Sequence, residues 1–242
     1  MPIGLIGHGP QPSHLRSDAL GTGLGVRKVT IEELLGRPLS KVEKANAPKS
    51  VYVAGRLEIP LKGYLVAVVG TRTPMWVEKA KAITAALVDQ GYVIVSGLAR
   101  GIDTIAHTTA ILKGGKTIAV LPCPLDRFYP PSNRGLQLRI MREHLAISQF
   151  PLGAEIAVGN FPKRNRTMAL ISHAMVMVEA RSGGGTMIAG WEAIRLRRPL
   201  LIYGGLSHHP WVQEMKKSGA LLFRTEDELL ELLKRVLTAE WR

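Results

Sequence analysis

The chain has 242 residues, enough for one α/β domain with attachments and a sizeable core. Apolar residues make up 46% of it, yet no run of about 18 of them occurs, so no helical membrane span is expected. Thirty-two Lys and Arg against nineteen Asp and Glu give a net charge of +13, which favours a polyanionic partner and leaves a merely solubilising cationic surface as the alternative.

The N-terminus, Met-Pro-Ile-Gly-Leu-Ile-Gly-His, lacks the cationic start and apolar block of a signal peptide, and a cytoplasmic protein is expected. Gly4 to Gly25 is rich in Gly, His and Pro with little periodicity, and reads as a loose arm. Its Gly21-x-Gly-x-Gly25 run follows no strand and is given no phosphate role. Thr30-Ile-Glu-Glu33 is a capping box that opens a short helix over Ile31–Leu35, and Val51-Tyr-Val53 adds an edge strand. Residues 1–64 are therefore expected to form an extension packed on a core of residues 65–242.

From Leu65 onward, short apolar runs alternate with amphipathic stretches. Strands are predicted at Leu65–Val69, Tyr92–Val95, Thr117–Leu121, Leu145–Ser148, Ala174–Val178 and Pro199–Tyr203. Helices are predicted between them at Pro74–Gln90, Asp103–Lys113, Ser132–Glu143, Lys163–Ser172 and Thr186–Arg197. Near-continuous apolarity suits strands covered on both faces, so the fold class is α/β. The architecture is Rossmann-like and doubly wound, a mainly parallel sheet with helices on both faces. Thr225-Glu-Asp-Glu228 opens a last helix, Glu226–Leu237, whose Leu229, Leu230, Leu233 and Leu237 form a docking stripe.

In such a sheet, ligands collect where the strands end and the winding order reverses. The loops expected there are Gly70-Thr71-Arg72, Ser96-Gly97 and Ser182-Gly-Gly-Gly-Thr186, joined by a cationic loop, Phe161-Pro-Lys-Arg-Asn-Arg166. Together they supply amides, hydroxyls and guanidinium groups, but no nucleophile with an evident base. That is an inventory for binding phosphates. Arg164 and Arg166, bracketing Asn165, could grip successive phosphates, and Gly184 and Gly185 let a chain approach closely because they carry no β-carbon. No G-x-G-x-x-G follows the first strand, which argues against an ordinary NAD site, and no cofactor is expected. Asp103 reads as a helix cap and His107 as a hydrogen-bonded core residue. Glu179 reads as the partner of an arginine or of a helix N-terminus. Cys123 has no evident partner, and His208-His209 lack the further ligands a metal needs.

Several of these segments resemble one family. Val66-Ala-Val-Val-Gly-Thr-Arg72, Val95-Ser-Gly-Leu-Ala-Arg-Gly-Ile-Asp103 with Ala106-His107, and Thr117-Ile-Ala-Val-Leu121 with Tyr129-Pro130 are similar to the DprA/Smf DNA-processing proteins. So are Phe161-Pro-Lys-Arg-Asn-Arg166 and Val178-Glu-Ala180, and the resemblance runs from about Leu65 to Gly205. It implies a Rossmann-like core that binds and protects single-stranded DNA and helps load a RecA-type recombinase, as a homodimer and without catalysis. Carried over by position, Arg72, Lys163, Arg164 and Arg166 become DNA-phosphate contacts, and Ser96, Gly97 and Arg100 line the same groove. Phe161, Phe128 and Tyr129 are the aromatic candidates for stacking bases.

The sequence also departs from that family. Its first segment does not look like a helix-hairpin domain and no winged-helix module follows the core, so a core-only version is expected. Gly184-Gly-Thr-Met-Ile-Ala-Gly190 leans toward the LOG-type nucleotide phosphoribohydrolases. The catalytic Glu of that motif is missing, because Ile188 and Ala189 occupy its place. The alternative is thus a nucleotide sensor or a nucleoside monophosphate N-glycosidase, with Glu179, Glu192 and Arg166 as the residues to watch.

Overall fold

The computed structural model describes residues 25–239. Apart from Gly25, the glycine-rich arm and its Gly21-x-Gly-x-Gly25 run lie outside them. Along the strand β3 (Leu65–Gly70), Leu65, Ala67 and Val69 enter one apolar cluster while Val66 and Val68 enter another. Side chains alternate across a strand, so this division means that both faces are covered. On the first face lie the helices α6 (Asn160–Ile171), α7 (Gly185–Arg195) and α8 (Pro210–Lys217), through Met168, Ala189, Ala193 and Val212. On the second lie α3 (Val77–Asp89), α4 (Ile102–Leu112) and α9 (Glu226–Ala239), the last through the predicted stripe of Leu229, Leu233 and Leu237.

The sheet has nine strands among the described residues, in the order β1-β2-β6-β5-β4-β3-β7-β8-β9. Besides β3 these are β1 (Arg27–Val29), β2 (Val51–Gly55), β4 (Val93–Ser96), β5 (Thr117–Leu121), β6 (Leu145–Ser148), β7 (Ala174–Glu179), β8 (Leu200–Tyr203) and β9 (Leu221–Phe223). From β6 to β9 every pairing is parallel. This is the doubly wound sheet that the alternating pattern predicts. The chain winds outward from β3 to β6, returns to the centre at β7, and winds the other way to β9. The switch point therefore lies between β3 and β7, whose register shifts at Val69/Gly70.

Residues before Leu65 join the same sheet. β2 pairs antiparallel with β6, and β1 with β2. Val51–Val53 is thus interior where an edge strand was expected, because the three residues of β1 close the edge outside it. Before β2, α1 (Ile31–Leu35) begins at the predicted capping box, and α2 (Lys41–Asn46) begins at a second one, Ser40 with Glu43.

Candidate functional site

At the switch point, the loops that follow β3 and β7 border a cleft of about 280 Å³. Gly70, Thr71, Arg72 and Thr73 line one wall and Arg181 and Gly184–Thr186 the other, with Phe161, Arg164 and Asn165 at the base. The wall after β3 is fixed from below. Glu179, 5% exposed at the end of β7, accepts the amides of Met75 at 3.0 Å and Trp76 at 3.0 Å. These precede α3, so a carboxylate from a neighbouring strand caps that helix, the second of the two roles expected of Glu179. The helix predicted from Pro74 therefore starts three residues later, at Val77. Arg181 spans the mouth, its Nη2 donating to Thr73 Oγ1 at 2.7 Å, and leaves the exposed Arg72 as a neighbouring cation.

Asp103 does not cap α4, which begins one residue earlier behind Gly101, whose φ of 77° suits glycine. Its Oδ2 instead accepts the Ala99 amide at 3.3 Å and lies 3.9 Å from Arg164 Nη1. Burial pushes the Asp103 carboxyl up although the Arg164 charge opposes this, and burial lowers the Arg164 guanidinium. His107 lies one turn further on, its Nδ1 2.7 Å from Thr117 Oγ1. Burial first, then the His144 charge, brings its pKa down to about 3, so the ring is a neutral core group, as read from the sequence.

The cationic segment Phe161–Arg166 is not a loop. It forms the first turns of α6, which starts at Asn160, three residues before the predicted Lys163. Pro162 falls in the first turn, where a missing N–H costs nothing, so it does not break the helix. Helical spacing turns Arg164 and Asn165, each 6% exposed, into the protein. Arg164 Nη1 donates to Val120 O at 3.3 Å and Asn165 Nδ2 to Gly185 O at 3.1 Å. Arg166 pairs with Glu192 at 3.2 Å on α7, which Arg195 also holds. The picture of two outward guanidinium groups bracketing an amide is thereby corrected, and Lys163 alone of the three cations is exposed without an acidic partner among the described residues. Ser96 is likewise no groove residue: it is fully buried and donates to Val68 O at 2.7 Å.

The outward face carries aromatic groups. The Arg72 guanidinium lies 5.6 Å from the centre of the Phe161 ring, and Phe161 meets Tyr129 edge to face at 5.3 Å. Beyond Arg72 a second depression of about 320 Å³ is lined by Arg100, Tyr129 and Pro130–Ser132. Arg72 borders both, so cleft and depression form one track. At the far wall, a β-carbon on Gly185 would meet nothing within 4 Å, so its absence leaves room inside the cleft instead of serving internal packing. Among the described lining residues of the cleft, the single carboxylate is the buried Asp103.

A sequence profile of the DNA recombination-mediator protein A family matches residues 35–234. The chain belongs to that family. It is 38% identical over 205 residues to Protein Smf of Synechocystis sp., covering 79% of this chain and 50% of that one. It is 39% identical over 204 residues to DNA processing protein DprA of Streptococcus pneumoniae, covering 80% and 70%. This family member thus spans half the length of its Synechocystis relative. DNA processing protein A from Helicobacter pylori, whose structure is described with its single-stranded DNA binding mode, superposes with a TM-score of 0.72 at 25% identity. That match covers 88% of this chain and 98% of the other.

Of the residues expected at the site, the structure gathers Gly70, Thr71, Arg72, Phe161, Gly184, Gly185 and Thr186 around the cleft, with Arg100 alongside. Gly97 lies beneath it against Arg164. Thr73 and Arg181 belong to this family member's cleft and were not singled out from the sequence. The signal for Arg181 was present, since it follows a predicted strand end by three residues.

Proposed function

We propose that this protein binds single-stranded DNA along the track formed by the cleft and the depression beside it. The observation that carries this reading is the row of outward cations beside aromatic rings: Arg181, Arg72 and Arg100 along one path, with Arg72 over Phe161 and Phe161 against Tyr129. Phosphates would meet the guanidinium groups and the amides at the start of α7, and bases would stack on the rings. Of the sequence-predicted contacts, Gly70, Thr71, Arg72, Arg100, Phe161, Gly184, Gly185 and Thr186 fit this path from their positions, and the exposed Lys163 would reach it from α6. Arg164, Asn165 and Gly97 would act from below by shaping it. The family and the Helicobacter relative support the same ligand.

The role proposed for the whole protein is that of the family, to protect single-stranded DNA and hand it to a RecA-type recombinase during recombination or transformation. A homodimer would lengthen the cationic track. We place the protein in the cytoplasm. Among the described residues no helix is long and apolar enough to cross a membrane, and the single cysteine, Cys123, is buried and free. The reading is of a binding protein and not a glycosidase, because Glu179 is engaged by a helix start and Glu192 by two arginines.

Fluorescence anisotropy with a labelled oligonucleotide tests this. Salt-sensitive binding that prefers single strands to duplex and is not displaced by free mononucleotides is expected. Displacement by a mononucleotide without oligonucleotide binding would favour the small-ligand reading.

A further inference from the structure

A cavity of about 1090 Å³ lies at the opposite end of the sheet from the cleft. It opens where β3, β7 and β8 begin, with Leu65, His173 and Leu196–Arg198 at its base and α1 and α2 along its side. At this size it matches the upper end of small-molecule pockets, roughly 1,000 Å³, and it extends along both α1 and α2. Its walls are mainly aliphatic, with Leu35, Val42 and Leu61 half-buried, and carry one aromatic ring, that of Tyr64, 39% exposed.

Around these walls stand four cations and one carboxylate. Glu43 is 4% exposed and already bound by Arg37, at 2.6 Å, and by Arg198. Burial acts against it, but hydrogen bonds from Arg37, Ser40 and Arg198 hold the Glu43 carboxyl well below the usual range. No negative charge is left over for the others. Lys41 and Arg197 are exposed and in no ion pair among the described residues, and the Nε of Arg198 is buried without a hydrogen-bond partner. Arg197 also has a φ of 57°, at a helix end where glycine is the usual residue. A non-glycine residue held in that conformation is strained, which is tolerable where its side chain has a use.

We propose that this groove docks an acidic segment of a partner protein, with apolar side chains against the leucines and carboxylates against Lys41 and Arg197. Leu35, Val42 and Leu61 outnumber the one exposed ring, Tyr64, so the walls suit apolar side chains better than a row of stacked bases, which argues for a peptide over a second stretch of nucleic acid. The six-residue β3 separates groove from cleft by about 17 Å, so both can be filled at once and a partner can be held beside bound DNA.

Selection of random dodecapeptides on the full chain at low salt tests this. Expected are peptides that combine Asp or Glu with Leu, Ile or Phe. Their affinity falls about tenfold in the Lys41→Glu, Arg197→Gly double variant and is unchanged in Arg72→Ala. Glycine suits position 197 and a carboxylate suits the first turn of α2, so the double variant folds, as its melting temperature will report. No selected peptide, selection of basic or uncharged peptides, or an acidic peptide lost only in Arg72→Ala would overturn the proposal. So would loss of single-stranded DNA binding in the double variant, which would make the groove part of the DNA path.

Discussion

Arg164 occupies the space that a side chain at Gly97 would need. A β-carbon there would lie 1.4 Å from Arg164 Nη1, and Asp103 Oδ2 would be 2.8 Å away. Glycine and arginine are therefore one unit, and the floor of the cleft rests on it. Gly97→Ala is expected to destabilise the protein by about 1–3 kcal/mol by displacing the guanidinium. Arg164→Ala should cost more, about 3–5 kcal/mol, because it strands the Asp103 carboxylate. In the Arg164→Ala background only the contact with Asp103 Oδ2 remains, at the end of a side chain that has lost its partner, so adding Gly97→Ala should cost less than it does alone. A urea-denaturation double-mutant cycle measures this, and additive losses would show that the two residues are independent.

Arg72 should behave in the opposite way. Its guanidinium is exposed and lies over Phe161, so Arg72→Ala leaves the melting temperature nearly unchanged. Oligonucleotide affinity is expected to drop about tenfold, with one fewer counterion released in the salt dependence. Phe161→Leu should weaken binding with little change in salt slope, since it removes a stacking surface and no charge. A steeper slope in either variant would contradict the roles given to them.

Glu179 offers a test that separates structure from chemistry. Glu179→Ala leaves the Met75 and Trp76 amides without their acceptor and is expected to cost about 2 kcal/mol. The wall from Thr71 to Trp76 loosens and oligonucleotide binding weakens with it. Free base released from purine nucleoside monophosphate by the parent, and abolished in this variant, would instead make Glu179 a catalytic residue. Chromatography of the reaction mixture distinguishes the two.

One buried imidazole, His107, and one half-buried imidazole, His173, set the acid limit of stability. Burial brings His107 to about 3, and burial with the Arg198 and Arg37 charges brings His173 to about 4, against 6.5 for a free ring. Both folded values lie below the unfolded one, so their contribution is complete above about pH 6.5 and lost as pH falls toward 4 and 3. At pH 5 each ring should cost about 2 kcal/mol relative to neutral pH. His107→Asn, which can still donate to Thr117, should roughly halve that loss. Equal urea midpoints at pH 7.5 and pH 5 would show that these rings are not buried neutral.

Where the sequence reading succeeded, a local pattern and the tertiary structure agreed. Near-continuous apolar runs placed the central strands within a residue, and the Leu229–Leu237 stripe docks as its spacing requires. The loop glycines and Arg72 also meet where the winding reverses. Errors arose where a distant group decides a local question. Glu179 moves the start of α3, and nothing near Pro74 announces it. The cations of α6 read as a loop because Pro162 looks like a breaker, and only helical phase shows that Arg164 turns inward. The reading also missed α2, although Ser40-x-x-Glu43 is the same capping signal that found α1.

The residues before Leu65 do more than decorate the core. β2 takes up the hydrogen-bonding edge of β6, and β1 shields β2 in turn with three residues that alternate Arg27, Lys28 and Val29. A chain cut to begin at Leu65 would keep every residue of the cleft yet expose a flat, apolar strand with unsatisfied amides and carbonyls. Such an edge recruits other strands, so the shortened protein would be lost to aggregation before its affinity for any ligand could be measured.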